Sequence, residues 1–342
     1  MATDWYIWIP DGRTLYCYGG SSPHFNDYNQ ALCTSWGPKV IAWPHPGNVV
    51  HASVSSSSAL FVTDDKKVYG TGSNQFGQLG FEACTIETIG KSFHEIVIPT
   101  ADRIVQIESS FASFVVTEAG DVYSCGSLCG RPFGNPSAPL WRMCLIDRTV
   151  FGNVPVKSVS AGCCVSTFLT EDGAVYVIGT ASNAEANGIT GGVVASQSPA
   201  KLACLWDEGV RVTMISSGRL HSIAVGILVA TGEQVVYGWG GNRGGALGED
   251  FRKQQDILQP TLLRNVMAKL RDGGTHDEVV HVSCGWYHSL LTTRSGRVLS
   301  LGAVALYGQL GRPAPTADPL PDNLKVDYCQ YMILNRPVRE VY

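Results

Sequence analysis

Charge is scarce in this chain. Asp, Glu, Lys and Arg together make up 16% of its 342 residues, against 44% hydrophobic residues. That balance excludes a chain held open by charge and leaves ample apolar material for a large core. A basic surplus is absent as well: the formal net charge is −4, which argues against direct contact with a nucleic-acid backbone. No apolar run reaches the length of a membrane-spanning helix. The opening residues MATDWYIWIPDG lack the basic stretch and apolar run of a secretory signal. The eleven cysteines are an odd number and include no CxxC pair. Neither a disulfide framework nor a zinc site is therefore expected. Cys17, Cys125 and Cys284 stand among strand-type apolar residues and read as small core residues. The expected setting is a reducing one, intracellular, either cytoplasmic or nuclear.

Catalytic patterns are equally sparse. There is no GxSxG elbow, and no serine or cysteine has a recognisable base pattern. GGNRGGALG at 240–248 looks like a phosphate loop but has no Lys-Ser/Thr after it. The eight histidines show no HxxxH or HxH spacing. His221 and His288 each follow a glycine by three residues in separate copies of one pattern, so they read as turn anchors bonded to backbone rather than as bases or ligands. No enzyme, cofactor or metal is expected.

What the chain does have is a repeat. A short strand, a small-residue turn, a second strand ending in Thr, a tight turn, a third strand and a Gly recur along it. The clearest copies are VVHVSCGWYHSLLTTRSGRVLSLGAVALYGQLG at 279–311, VTMISSGRLHSIAV at 212–225 and VVHASVSSSSALFVTDDKKVYGTGSNQFGQLG at 49–80. Weaker copies lie at 104–126 and 156–179. The glycine that closes the third strand falls at Gly19, Gly72, Gly126, Gly179, Gly240 and Gly302. Segments such as FVVT and AVYVIG are rich in β-branched and aromatic residues, as strands require. Leu79 and Leu310, each inside a GQLG turn, read as plugs between neighbouring sheets. One small antiparallel sheet cannot bury both faces alone, whereas radial stacking buries them and leaves short edges. The expected fold is an all-β propeller of four-stranded blades.

GWYHS at 285–289, GRLHS at 218–222, GSN at 72–74, GGN at 240–242 and the two GQLG turns resemble the regulator of chromosome condensation repeat family. The resemblance covers residues 5 to 342 and implies a single propeller domain over 1–342. The family ring usually has seven blades; six are countable here. Ser113 and Val165 stand near the usual histidine in the third and fourth copies, and the Ser55–Ser58 run occupies its Gly-x-x-His position. DWYIWIPDGRTLYCYGG and NRPVREVY are complementary fractions of a repeat, so pairing of Asp4–Gly19 with Asn335–Tyr342 is expected to close the ring.

The resemblance implies two functions of different classes. One is a non-catalytic scaffold or adaptor that docks other proteins. The other is guanine-nucleotide exchange on a small GTPase such as Ran. Binding is expected where copies differ: around 20–48 with Trp36 and Trp43, around 127–148, and in 249–278. Arg131, Phe133, Trp141 and Arg142 are candidate anchors, since Trp and Arg are favoured at hot spots. In 249–278, Leu262, Leu263, Val266, Met267 and Leu270 follow helical spacing. Arg252, Lys253, Arg264, Lys269 and Arg271 are candidates to steer an acidic partner, and they lie in a C-terminal quarter richer in cations than the rest.

Overall fold

The computed structural model describes residues 5–19, 39–55, 58–81, 93–128, 131–132, 141–163, 165–179, 198–250, 256–272, 276–302, 310 and 329–331. They form six antiparallel sheets and divide into two compact units, Met1–Ala161 and Gly162–Tyr342.

The first unit opens with β1 (Trp5–Trp8), β2 (Thr14–Gly19) and β3 (Lys39–Ala42), paired in that order. The expected partner for this sheet, Asn335–Tyr342, lies outside the described residues. Next come β4 (Val49–Val54), β5 (Ser58–Thr63), β6 (Val68–Gly72) and β7 (His94–Ile96), again in sequence order. A third sheet holds β8 (Ile104–Ser109), β9 (Ala112–Thr117) and β10 (Val122–Leu128), with the short β11 (Arg131–Pro132) and β12 (Cys144–Leu145) on the far side of β10. The last strand of the unit is β13 (Val156–Ala161).

The second unit contains β14 (Val165–Thr170), β15 (Val175–Gly179) and β16 (Ala200–Lys201), then a five-residue helix α1 (Ala203–Asp207). β17 (Val210–Ser217), β18 (His221–Leu228), β19 (Gln234–Gly241) and β20 (Asp256–Leu262) follow, with helix α2 (Arg264–Leu270) after them. The final sheet is β21 (Val279–Cys284), β22 (Ser289–Thr293), β23 (Val298–Leu301) and β24 (Cys329–Tyr331). The segment 249–278, read as an insertion between repeats, thus supplies the fourth strand of its sheet. Leu262 belongs to that strand. The helix begins two residues later and turns Val266, Met267 and Leu270 inward, so the helical spacing was read correctly but started too early.

Second strands are buried throughout because both of their faces are covered. Every residue of β5 (SALFVT), β9 (ASFVVT) and β14 (VSTFLT) is buried. First strands alternate instead: β8 buries Ile104, Ile107 and Ser109 and leaves the others half-exposed. Leu79 is fully buried in a cluster drawn from two sheets, with Leu60 and Ile96 on one side and Ile107 and Val115 on the other. The plug reading of this leucine is correct. Its turn is pinned by a buried asparagine: Leu79 N–H donates to Asn74 Oδ1 at 2.8 Å, and Asn74 Nδ2 donates to Phe81 O at 2.9 Å. Asn242 repeats both bonds with Leu247 and Glu249 at 3.0 Å each. Trp43 is a core residue, packed among Phe61, Tyr69 and Phe93. Trp36 lies outside the described residues. Cys125 is buried, and burial pushes its thiol up to about 12, as expected of an inert core cysteine.

The turn between second and third strands carries the clearest local requirement. Gly120, Gly173 and Gly296 each return an N–H to the Thr three residues earlier, with φ of 78°, 83° and 80°. Lys66 makes the same bond to Thr63 O at 2.9 Å but at φ 66°, where a side chain is strained. Lys66→Gly is expected to relieve about 1–2 kcal/mol of that strain and lose roughly half of it to chain entropy. The melting temperature should rise by about 1–3 °C. Differential scanning fluorimetry checks this; an unchanged or lower value counts against the strain.

Candidate interaction surface

The turn between first and second strands is closed by one backbone bond. Gly218 N–H donates to His221 O at 2.8 Å, and Gly285 N–H donates to His288 O at 2.9 Å. The imidazole folds back over the glycine. A Cβ on Gly218 would stand 2.6 Å from His221 Cε1, and one on Gly285 would run into the His288 ring. Glycine is required sterically, but not by the imidazole alone: a Cβ on Gly218 would stand 2.2 Å from Gly285 O, and one on Gly162, whose turn has Val165 at the histidine position, would stand 2.2 Å from Gly218 O. Gly162 with Val165, Ser55 with Ser58, and Ser110 with Ala112 close the same turn elsewhere. The third copy is one residue shorter, so Ala112 and not Ser113 takes the histidine position. Ser113 instead pairs with Cys125, one step along the strand.

Both histidines are buried, as turn anchors should be. His221 Nε2 lies 2.8 Å from Ser289 Oγ, whose hydroxyl donates to Ala246 O at 2.8 Å. One serine thus ties β18, β22 and the turn after β19 together. Burial, with a smaller contribution from neighbouring His288, pushes the His221 imidazole down to about 3. It is neutral at physiological pH and has no access to a substrate.

The residues between Gly and His are exposed to a different degree. Arg219, Trp286 and Tyr287 are half-buried and meet one another. The Arg219 guanidinium sits 4.5 Å from the Trp286 ring centroid and 5.4 Å from that of Tyr287, and it donates to the Tyr287 hydroxyl. The turns themselves are in register, with Arg219 N–H directed at Gly285 O at 3.3 Å. Arg219 forms no ion pair with a carboxylate among the described residues. The result is a preorganised guanidinium on an aromatic platform, with little side-chain freedom left to lose on binding. Sequence reasoning passed over these three residues because it treated each motif separately. The signal was available: equivalent turn positions in consecutive repeats are neighbours.

The candidates chosen from sequence fall differently. Phe133, Arg252 and Lys253 lie outside the described residues, and of Arg131 only its place in β11 is described. Trp141 is half-buried, and its backbone packs on the FGQLG turn: a Cβ at Gly77 would stand 2.8 Å from Trp141 Cα. Arg142 beside it is exposed. Arg264, Lys269 and Arg271 are gathered on or just after α2, and Arg271 is already ion-paired with Glu233.

Two models of the regulator of chromosome condensation (RCC1) repeat match the chain, at residues 234–292 and 49–78. A bovine secretion-regulating guanine nucleotide exchange factor is 27% identical over 75% of this chain and 52% of its own length. The ultraviolet-B receptor UVR8 of Arabidopsis thaliana is 28% identical over 78% of this chain and 56% of its own. The chain spans about half the length of these curated relatives. Among solved structures, human WBSCR16 superposes with a TM-score of 0.73 at 18% identity, covering 95% of this chain and 78% of that one. Yeast RCC1 (Prp20), solved bound to Kap60, gives 0.67 at 19% identity, covering 89% and 67%. At those identities the likeness shows the fold: a β-propeller of four-stranded blades, with a count of six consistent with the sheets found here.

The clamp makes a pH prediction. An imidazole whose folded value lies below its unfolded 6.5 adds stability that is complete above pH 6.5 and is lost as pH falls toward 3. His221→Gln should lower stability at pH 7.5 and remove much of the decline between pH 6.5 and 4.5. Urea midpoints for both proteins across that window test it; parallel slopes would place the titrating group elsewhere.

Proposed function

The chain is a divergent regulator-of-chromosome-condensation-like repeat protein, and on that premise we propose that it is a non-catalytic protein-interaction platform, one propeller domain over 1–342. The carrying observation is the Arg219–Trp286–Tyr287 stack, a half-buried cation–aromatic cluster held by buried Gly-His turns. Arg, Trp and Tyr are the residue types most often found at binding hot spots, and rigid presentation lowers the cost of association. The histidines that would suggest chemistry are consumed in holding this surface. Trp141 with Arg142, and the cations Arg264 (exposed) and Lys269 (half-buried), are secondary contact candidates. The setting we propose is intracellular, with protein partners; no helix of the described residues is long and apolar enough to cross a membrane.

A second reading is guanine-nucleotide exchange on a small GTPase. It is favoured by the bovine and mouse secretion-regulating guanine nucleotide exchange factors, which match 75% and 73% of the chain. Exchange factors act by docking and supply no bond-making group, so the same surface is compatible with it. A nucleotide-release assay on a panel of purified GTPases separates the two.

The mutational test uses partners captured from native extract by the wild-type chain and identified by mass spectrometry. Arg219→Glu and Trp286→Ala are each expected to weaken the captured complex by about 2 kcal/mol or more while the melting temperature stays within a few degrees. Trp141→Ala keeps the backbone and Cβ that pack on Gly77, so it too is expected to leave the melting temperature within a few degrees. Reversing Arg264 and Lys269 to Glu should mainly slow association at low salt. If Arg219→Glu and Trp286→Ala bind normally while folded, the platform uses another face.

A further inference from the structure

The turns at 162–165, 218–221 and 285–288 lie side by side. Cys163 N–H donates to Gly218 O and Arg219 N–H to Gly285 O, each at 3.3 Å. Their sequences are GCCV, GRLH and GWYH, so Arg219 is the only permanently charged side chain in the row. His221 and His288 are buried, whereas Leu220, Trp286 and Tyr287 stand half-buried with Arg219.

Every polar side-chain group left over in this cluster is a donor. The Tyr287 hydroxyl accepts from Arg219 Nη1 and keeps its own proton to give. The other guanidinium N–H groups meet no acceptor among the described residues. Donors gathered around one positive charge are matched by an anion, and the planar fork of a guanidinium is matched by the two coplanar oxygens of a carboxylate. A phosphate dianion fits less well, because one cation cannot neutralise it. The Asp256 carboxylate also stands on the Leu220 side: a Cβ on Gly241 would lie 3.2 Å from Leu220 Cβ and 3.7 Å from Asp256 Oδ1. A second negative charge on the ligand would be repelled there.

We propose, resting on the reading of this cluster as a contact surface, that Arg219 and Tyr287 form a carboxylate receptor for an Asp or Glu side chain of a protein partner. Trp286 and Leu220 take the large apolar side chain beside that acid. The guanidinium is already held by the Trp286 ring and the Tyr287 hydroxyl, so the carboxylate meets a cation with little freedom left to lose. A single half-buried charge pair contributes modestly, and the rest of the partner's surface supplies the remaining affinity. Replacing the acid by its amide removes the charge and keeps the shape, and should weaken binding about fivefold or more.

The test is a nuclear magnetic resonance titration of the full chain, followed at the Arg219 Nε–H and Trp286 Nε1–H signals. The probes are capped short peptides with glutamate, glutamine or phosphoserine between two leucines. The glutamate peptide should shift both signals saturably, the glutamine peptide should bind about fivefold or more weakly, and the phosphoserine peptide should bind no more tightly than glutamate. These wild-type measurements need no variant to fold. Arg219→Gln should abolish the preference for glutamate over glutamine. No saturable shift with the glutamate peptide, equal binding of the glutamine peptide, or tighter binding of the phosphoserine peptide overturns the proposal. Complexes captured from native extract separate it from the broader reading. If Trp286→Ala weakens them and Arg219→Gln does not, the contact surface stands and the carboxylate receptor falls. If neither does, the contact surface falls as well.

Discussion

The edge of each first strand is the constraint on which the rest of this protein depends. A strand has two hydrogen-bonding edges, and in these sheets the first strand pairs on one side only. Its other edge presents N–H groups that cannot be left dry. The chain meets this with side-chain oxygens: Ser53 for Ser109, Ser216 for Cys284, and Glu108 with Gln106 for Ala161 and Val159. Gln234 does the same from a third strand, exchanging both amide bonds with Val279 at 2.7 and 3.0 Å. Each such bond is worth only about 1 kcal/mol net, but an unmet N–H would cost more than the bond contributes. Side-chain oxygens therefore join single backbone bonds, such as Val49 N–H to Gly12 O and Val156 N–H to Gly120 O, in deciding how one sheet meets the next.

That division of labour explains why histidine, the residue that looks most like chemistry, is not chemical here. His221 reaches across to Ser289, and Ser289 reaches on to Ala246. The turn holds its histidine buried and leaves the two intervening residues half-buried, their side chains less committed to the core. Arg219, Trp286 and Tyr287 occupy those positions. Rigidity and accessibility come from one motif: its ends are buried and fixed, and its middle is presented.

Much of this was legible in the sequence, and what was not has identifiable causes. The strand triplets, the Thr-to-Gly turns and the buried leucine of GQLG follow from local rules: β-branched runs, positive φ and periodic glycine. The fourth strands were harder to read because they are short or irregular. β12 has two residues, and β20 runs straight into α2, so 256–262 read as part of a helical insertion. The contact of Trp141 with Gly77 joins positions in different repeats, and no local pattern announces it. The surface stack was half visible. GRLHS and GWYHS were recognised as copies, yet their middle residues were not compared, because a repeat is usually read for what it conserves in position and not for what it lets vary.

Degeneracy of the repeat carries information of its own. At 218–221, where the Gly-His pair persists, the seam between sheets is closed by Ser216, and Ser53 closes one where the pair is absent. In the third copy the pair is gone, the turn is one residue shorter and the seam oxygen belongs to a carboxylate. The apolar clusters themselves run across neighbouring sheets, Leu60 with Ile107 in one and Leu15 with Phe61 in another, so packing and side-chain oxygens hold these seams together.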